Sequence, residues 1–397
     1  MLRGFYHKTS FHRGLRLMGQ NTVFSQLIKL IPRTEFESWA HQYQGNKGVR
    51  SLDCWTWFGA LLFGQMSGHD SIRAIERVFA HNDPKMQQLG FGPVRKSTLA
   101  DANRSRPLEI LEQAYYYTLQ RAKAACPYRT GFRFNGEIFA LDASTLELCL
   151  GLCPWARFDA KKASVRLHTA IDLAGELPDY AVIREGTAHE MRVARECMKF
   201  RRGATLIFDK GYSNYGWLSE LNQKEVFFVT RARANCQFKV VESRPTDRTR
   251  GHSCDQTIYL KHQYRGKLRR IGYRDPDTGK KFVFLTNRFD LAVQTVCDLY
   301  KARWRVELFF KTLKQNLKIR KFLGNSFHAV KAQVWVALIA YLMIQILRFE
   351  TRSSISMPAA MAVIGTLLLL KEPLSRLIGD LPRITRYPPA SQLVLPI

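Results

Sequence analysis

The chain has 397 residues, 46% hydrophobic and 12% aromatic, with 61 Lys and Arg against 33 Asp and Glu and a formal net charge of +28. This length predicts two or three domains or subdomains, and the apolar content excludes general disorder. So large a charge excess predicts a polyanionic partner, nucleic acid ahead of an anionic membrane surface, while the aromatic content points to a large core and not to a basic tail.

Residues 1–17 read as a loose basic arm without the continuous apolar stretch of a secretory signal, and Met18 is a second candidate start. Residues 18–130 read as a helical N-terminal domain with a role in DNA binding. Phe24, Leu27, Ile28 and Ile31 form an i, i+3, i+4, i+7 face. Pro32 stops that helix, and Thr34 is placed to cap the next with Glu37 at its third position. Trp55, Phe58, Leu61 and Leu62 predict a further amphipathic helix, and residues 71–79 a short one ended by His81-Asn82-Asp83-Pro84. After the turn-rich Gly90-Phe91-Gly92-Pro93, residues 97–103 occupy the place of the second helix of a helix-turn-helix. Such pairs read DNA in some proteins and are plain packing units in others.

From Gly136 the pattern changes to strands. Residues 137–142, 165–172, 179–184, 204–209 and 226–230 are short apolar runs, with a turn at Ala174-Gly175-Glu176 and helices at 189–200 and 217–223. Three strands, helix, strand, helix, strand is the order of a ribonuclease-H-like core, a mixed α/β sheet with helices on both faces, here spanning residues 131–350. Residues 231–282 interrupt it as a β-rich insertion, with twelve Lys or Arg and four Asp or Glu from Arg231 to Asp275. A strand at 282–287 and, from about Leu291, one long helix follow. Val334–Leu347 is the longest apolar run. It falls short of the ~20 residues that span a bilayer and reads as a buried helix. Residues 351–397 read as a helical region ending in a tail. Neither Cys149 with Cys153 nor His252 with Cys254 has a second pair at zinc spacing, so the eight cysteines read as free thiols in a reducing cytoplasm.

The candidate chemistry lies on acids. At 100° per residue, Tyr300, Arg303, Glu307 and Lys314 share a helix stripe about 60° wide, which Lys311 and Lys318 extend. Val306, Phe309, Phe310, Leu313 and Leu317 make a separate apolar stripe. Taken alone, this is equally the pattern of a solvated basic face with a Glu307–Lys311 pair. Asp142 and Asp209 each close an apolar strand, where an acid is costly to bury unless it binds a metal or caps a helix. Ser144 and Thr145 offer an alternative cap after Asp142. Three acids in the order strand, strand, helix point to one site. His168 and His189 read as core or hydrogen-bonded histidines near it. Trp304 is placed either to stack on a displaced base or to pack against the insertion.

The Tyr-x2-Arg-x3-Glu-x6-Lys spacing from Tyr300 to Lys314, the Asp209-x-Gly211-Tyr212 motif and Asp142 at the end of a first strand resemble the bacterial family-four insertion-sequence transposases. The resemblance runs over roughly residues 18–350. It implies a cut-and-paste enzyme whose DDE triad is Asp142, Asp209 and Glu307, on a ribonuclease-H-like fold with a β insertion. Two Mg²⁺ or Mn²⁺ ions suit an all-oxygen triad of this kind. The implied partner is double-stranded DNA, transposon ends and target, bound by a homodimer when two ends are paired. Tyr300, Arg303 and Lys314 would contact DNA near the cut, with Lys311 and Lys318 on the same stripe. The place of action is the bacterial cytoplasm at the nucleoid, with no membrane role. A nuclease that cuts without joining, and a DNA-binding protein on a catalytically dead fold, are the competing readings.

Overall fold

The computed structural model describes residues 21–127, 131–132, 136–148, 153–159, 162–261, 264–315 and 322–379. The arm at 1–17, Leu317, Lys318, Cys149 and the C-terminal tail lie outside the described residues. Seven helices come first: α1 (Val23–Ile28), α2 (Arg33–Gln42), α3 (Cys54–Ser67), α4 (Ile72–His81), α5 (Asp83–Gln87), α6 (Lys96–Ser105) and α7 (Glu109–Ala125). Side chains cap several of them: Asp53 accepts from the Thr56 N–H at 2.7 Å and Ser71 from the Ala74 N–H at 3.2 Å. The predicted face Phe24, Leu27, Ile28 and Ile31 is fully buried. Thr34 does not cap α2. The helix starts two residues earlier, at Arg33, with Pro32 as its N-cap; the proline ring already fixes φ at −60°, and no side-chain bond forms there. Nor is α3 amphipathic: every residue from Cys54 to Met66 is buried, as its nearly unbroken apolar composition requires.

The strands are β1 (Ile138–Leu148), β2 (Arg157–Asp159), β3 (Lys162–Asp172), β4 (Leu177–Glu185), β5 (Thr205–Phe208), β6 (Phe227–Arg231), β7 (Phe238–Arg244), β8 (His252–Leu260), β9 (Leu268–Arg274) and β10 (Lys281–Thr286). They form one mixed sheet in the order β2-β3-β1-β5-β6-β10-β9-β8-β7, with β4 also paired to β3. The pairs β1–β5 and β5–β6 are parallel, and the rest are antiparallel. Helices α8 (Glu190–Cys197) and α9 (Tyr215–Gln223) supply the crossovers that parallel pairs need. They cover one face, over a cluster that includes Phe139, Leu206, Phe208 and Phe228. The other face carries Ala140, Ile207 and Val229 into a second, larger cluster shared with the N-terminal helices.

That larger cluster centres on a late helix. After α10 (Val293–Ala302) and α11 (Trp304–Gln315) comes α12 (Phe327–Thr351), 25 residues long. By length and composition α12 would cross a membrane, but 94% of its apolar window is buried inside the protein, against α3, α6, α7 and β4. It is thus longer than the expected run at Val334–Leu347, and buried as predicted. Its Tyr341 and Gln345 side chains donate to the carbonyls of Glu176 (3.0 Å) and Gly175 (3.3 Å), which ties the β3–β4 turn to the helical half. Two last helices, α13 (Met357–Leu367) and α14 (Leu374–Ile378), return the chain to α1, where the Val23 and Phe24 N–H groups donate to Leu370 and Leu368.

The insertion is not a separate layer. Strands β7 to β9 lengthen the main sheet beyond β10. They are fixed by a buried ion pair: Arg269 meets both Asp255 oxygens at 2.8 and 2.9 Å, with side chains only 6% and 4% exposed. The same guanidinium donates to the Leu291 and Arg288 carbonyls, just before α10. Asp255→Ala would strand this buried cation. We expect a loss of roughly 3–5 kcal/mol, read as a lower urea midpoint, with Asp255→Asn intermediate. Wild-type stability in the alanine variant would show that the pin carries no weight.

Candidate active site

Asp142 is not the last residue of its strand. β1 runs on to Leu148. What ends is the parallel pairing: β1 meets β5 only from Ile138↔Thr205 to Ala140↔Ile207, and beyond that it is held by β3 alone. Ile207 in turn pairs with Val229 of β6. Two residues further along each of these three strands stand Asp142, Asp209 and Arg231. Since side chains alternate, all three emerge on the face of Ala140, Ile207 and Val229, the face that α10 and α11 cover. Sheet register therefore puts two acids and a cation in one row at the carboxyl ends of parallel strands, a common place for sites in α/β folds.

The expected single long helix is two, α10 and α11. At Arg303 the ladder tightens: its N–H donates to Tyr300 O at 3.1 Å and Val306 N–H donates to Arg303 O at 3.0 Å. Arg303 itself stays helical at φ −55° and ψ −28°, so the predicted stripe survives the break. The apolar stripe is buried at Val306, Phe309, Phe310 and Leu313, and Phe309 meets Tyr341 of α12 edge-on at 5.0 Å. Arg305 donates to Leu173 O at 2.8 Å, fixing α11 against the end of β3.

These constraints bring the predicted residues together. Arg303 contacts Asp142 at 3.3 Å and Glu307 at 2.5 Å. Tyr300 donates to Asp209 at 3.2 Å, and Arg231 lies 3.9 Å from the same oxygen. Tyr300 packs on Phe284 at 4.8 Å. Burial pushes the Asp142 carboxyl up to about 6; the Ala143 N–H and Arg303 oppose the shift, and Glu190 and Glu307 add to it. Burial and the neighbouring Asp209 charge push the Tyr300 phenol up to about 12, so it stays a donor. Lys311 is exposed and Lys314 half-buried on α11, while Lys318 lies outside the described residues. Trp304 is 58% exposed on the rim of a cleft of about 780 Å³ that also exposes Arg303, Glu307, Lys301 and Arg231. It therefore faces the cleft.

His168 is fully buried, with neither ring nitrogen hydrogen-bonded; burial, then Arg166 and Arg184, push it down to about 4, so it is a neutral core residue. His189 is exposed, just before α8. Two site residues escape sequence reasoning. Arg231 closes an apolar run in the sequence just as the aspartates do, and the same rule applied to cations would have found it. Glu190, ion-paired to Arg166 at 3.6 Å, acts on Asp142 from the first turn of α8, and no local pattern marks it.

The donor set suits a hard divalent cation. The three acids offer only oxygens, their side chains are 24%, 40% and 33% exposed, and one guanidinium touches two of them, so Asp142 and Glu307 converge on a single positively charged position. Among the described residues no three His, Cys, Asp or Glu side chains already surround one point. Asp142, Asp209 and Glu307 are the residues that would hold such an ion, which would supply positive charge beside them.

A family model described as a transposase DDE domain matches residues 133–343, and one for a domain of unknown function matches residues 19–92. A putative transposase of Sinorhizobium fredii is 32% identical over 256 residues, covering 62% of this chain and 70% of that protein. A probable insertion-sequence transposase of Geobacillus stearothermophilus is 25% identical over 279 residues, 69% of this chain and 73% of that one. A solved piggyBac transposase synaptic complex with hairpin DNA aligns with 94% of this chain and 85% of its own at 11% identity and a TM-score of 0.49.

The Asp142 carboxyl holds its proton more tightly folded than unfolded. Its contribution to stability is therefore present at low pH and is lost as pH rises through about 6. Asp142→Asn removes this titration. Thermal melts between about pH 4 and 7 should show the wild type losing ground to the variant as pH rises. Parallel curves would mean that the carboxyl is not perturbed.

Proposed function

The chain belongs to the family of transposases with a DDE domain, and on that premise we propose that Asp142, Asp209 and Glu307 are the three carboxylates with which it cuts and rejoins DNA. The observation that carries the reading is the shared row of Asp142 and Asp209 on parallel strand ends, joined to Glu307 through Arg303. The proposal includes the family-four type, on the strength of the Tyr300-to-Lys314 spacing. It includes a ribonuclease-H-like core, supported by the strand order β4-β3-β1-β5-β6.

Two Mg²⁺ or Mn²⁺ ions bound by these oxygens would supply the charge that activates an attacking oxygen and steadies the leaving one. The chain's own groups do the rest. Tyr300 and Arg231 hold Asp209 in line with Asp142. Arg303, Lys311, Lys314 and Lys318 bind phosphates beside the scissile bond, and Tyr300 adds a contact there. Such contacts position DNA without reading its sequence. Residues 18–130 recognise transposon ends, residues 131–350 carry the chemistry, and the insertion lies over the DNA. Two copies act together when both ends are paired, so that each end meets one site, at the chromosome in the cytoplasm.

Asp142→Asn, Asp209→Asn and Glu307→Gln should each abolish Mg²⁺- or Mn²⁺-dependent nicking of a duplex from the inverted repeats flanking the gene, while end binding persists. Full activity in excess chelator, or near-normal cutting by any one variant, contradicts the assignment. A strand-transfer assay with a pre-cut end separates joining from simple nuclease action.

Arg303→Ala and Lys314→Ala should each flatten the salt dependence of duplex binding by about 0.9 in logarithmic slope, the share of one lost phosphate contact. Affinity measured from low to moderate salt beside a thermal melt tests this. Variants that melt far earlier and keep the wild-type slope would make both residues structural.

A further inference from the structure

A second basic cleft lies beside the acids. Its volume is about 310 Å³. Lys210, Arg231, Arg233, Arg270 and Lys281 line it, together with the rings of Phe238 and Phe282 and without any carboxylate. Five cations in so small a space repel one another unless an anion joins them. They are not spent on internal ion pairs: among the described residues Lys210, Arg233, Arg270 and Lys281 make no salt bridge, and Arg231 has only the 3.9 Å contact to Asp209. The cleft is also organised. Arg270 lies over the Phe238 ring at 4.8 Å and is held by Gln256 at 2.8 Å, and Arg231 lies over Phe282 at 5.4 Å.

Its position gives it direction. Arg231, Lys281 and Phe282 line both this cleft and the larger one at Glu307 and Arg303. The two clefts meet across the strand end next to Asp209, on opposite faces of the β6–β10 pair. A chain of phosphates at the acids can therefore continue over Arg231 into the second cleft. The cleft is too small for a duplex, whose major groove alone is about 12 Å wide. Cationic groups interleaved with aromatic faces are the usual chemistry of single-strand binding.

We propose that this cleft is a subsite for single-stranded DNA, holding the sugar-phosphate backbone of the strand that leaves the acids once the end is opened. The inference rests on the DNA-processing role proposed above. Lys210 and Arg231 bracket the entrance beside Asp209, and Arg233 and Arg270 hold the strand further in.

The test is binding, measured in chelator. The probes are a fluorescent oligothymidylate and a blunt duplex of random sequence, from low to moderate salt. Arg233→Ala with Arg270→Gln should weaken oligothymidylate binding roughly tenfold and lower its logarithmic salt slope by about 1.4, two contacts at about 0.7 each for single strands. Duplex affinity should change by less than about twofold. Arg248→Ala with Arg250→Ala removes the same charge from the β7–β8 turn and should leave oligothymidylate binding near wild type. If the Arg270 change disturbs the fold in a thermal melt, Arg233→Glu alone should still show the selective loss. Unchanged oligothymidylate affinity, an equal loss on both probes, or an equal loss in the Arg248 and Arg250 variant overturns the assignment. Because no divalent ion is present, a failure of metal-dependent cutting would refute the proposed function and leave this result standing.

Discussion

One guanidinium organises the site. Asp142 belongs to the sheet and Glu307 to a helix more than 160 residues later, and Arg303 touches both. Like charges brought this close repel, and burying them adds a desolvation cost. A cation between them offsets both terms, and Arg303 fills that role with a side chain only 17% exposed. The helix tightens at this same residue. The residue that bridges the acids sits at the junction of α10 and α11, where Tyr300 on one side and Glu307 on the other can both face the sheet. The same carboxylates would be among those that hold a divalent ion.

The geometry holds because the surrounding frame is continuous. The N-terminal helices, α12, the C-terminal helices and one face of the sheet share a single apolar cluster. α12 is the common member, buried on all sides for most of its length. Helix α11 packs its apolar stripe into this cluster and anchors Arg305 on the Leu173 carbonyl. The position of Glu307 is thus set by core packing on one side and by a backbone hydrogen bond on the other. The helical half is then more than a recognition module attached to a catalytic one, because its core supports the helix that carries the glutamate.

The insertion follows the same logic at the other end of the sheet. It extends the β-ladder from β10, so its orientation is set by backbone pairing. The Arg269–Asp255 pair reaches from β9 and β8 to the start of α10. Strand pairing and ion pair together hold both basic clefts in a fixed relation to the acids. Part of the charge excess seen in composition is thereby held beside the acids.

Much of this was legible in sequence. Alternating and helical apolar patterns located the core strands and most helices to within a few residues, because local burial has a local period. The order of strand, strand and helix acids named Asp142, Asp209 and Glu307, and the spacing added Tyr300 and Arg303, which contact them. Several features were not read from the sequence, some for a local reason and most for a non-local one. Thr34 looked like a cap, but Pro32 already supplied the turn. One long helix became two, with tightened backbone bonds at Arg303, the residue that reaches Asp142. Asp142 lay inside β1, since β1 outlasts its pairing with β5. Arg231 and Glu190 joined the site through sheet register and a crossover helix. The sequence by itself determined which residues are apolar, charged or chain-breaking, and so which elements form and which groups are available for chemistry. Only the tertiary structure decided which of those groups meet, because register between strands and packing between helices depend on contacts a hundred or more residues apart.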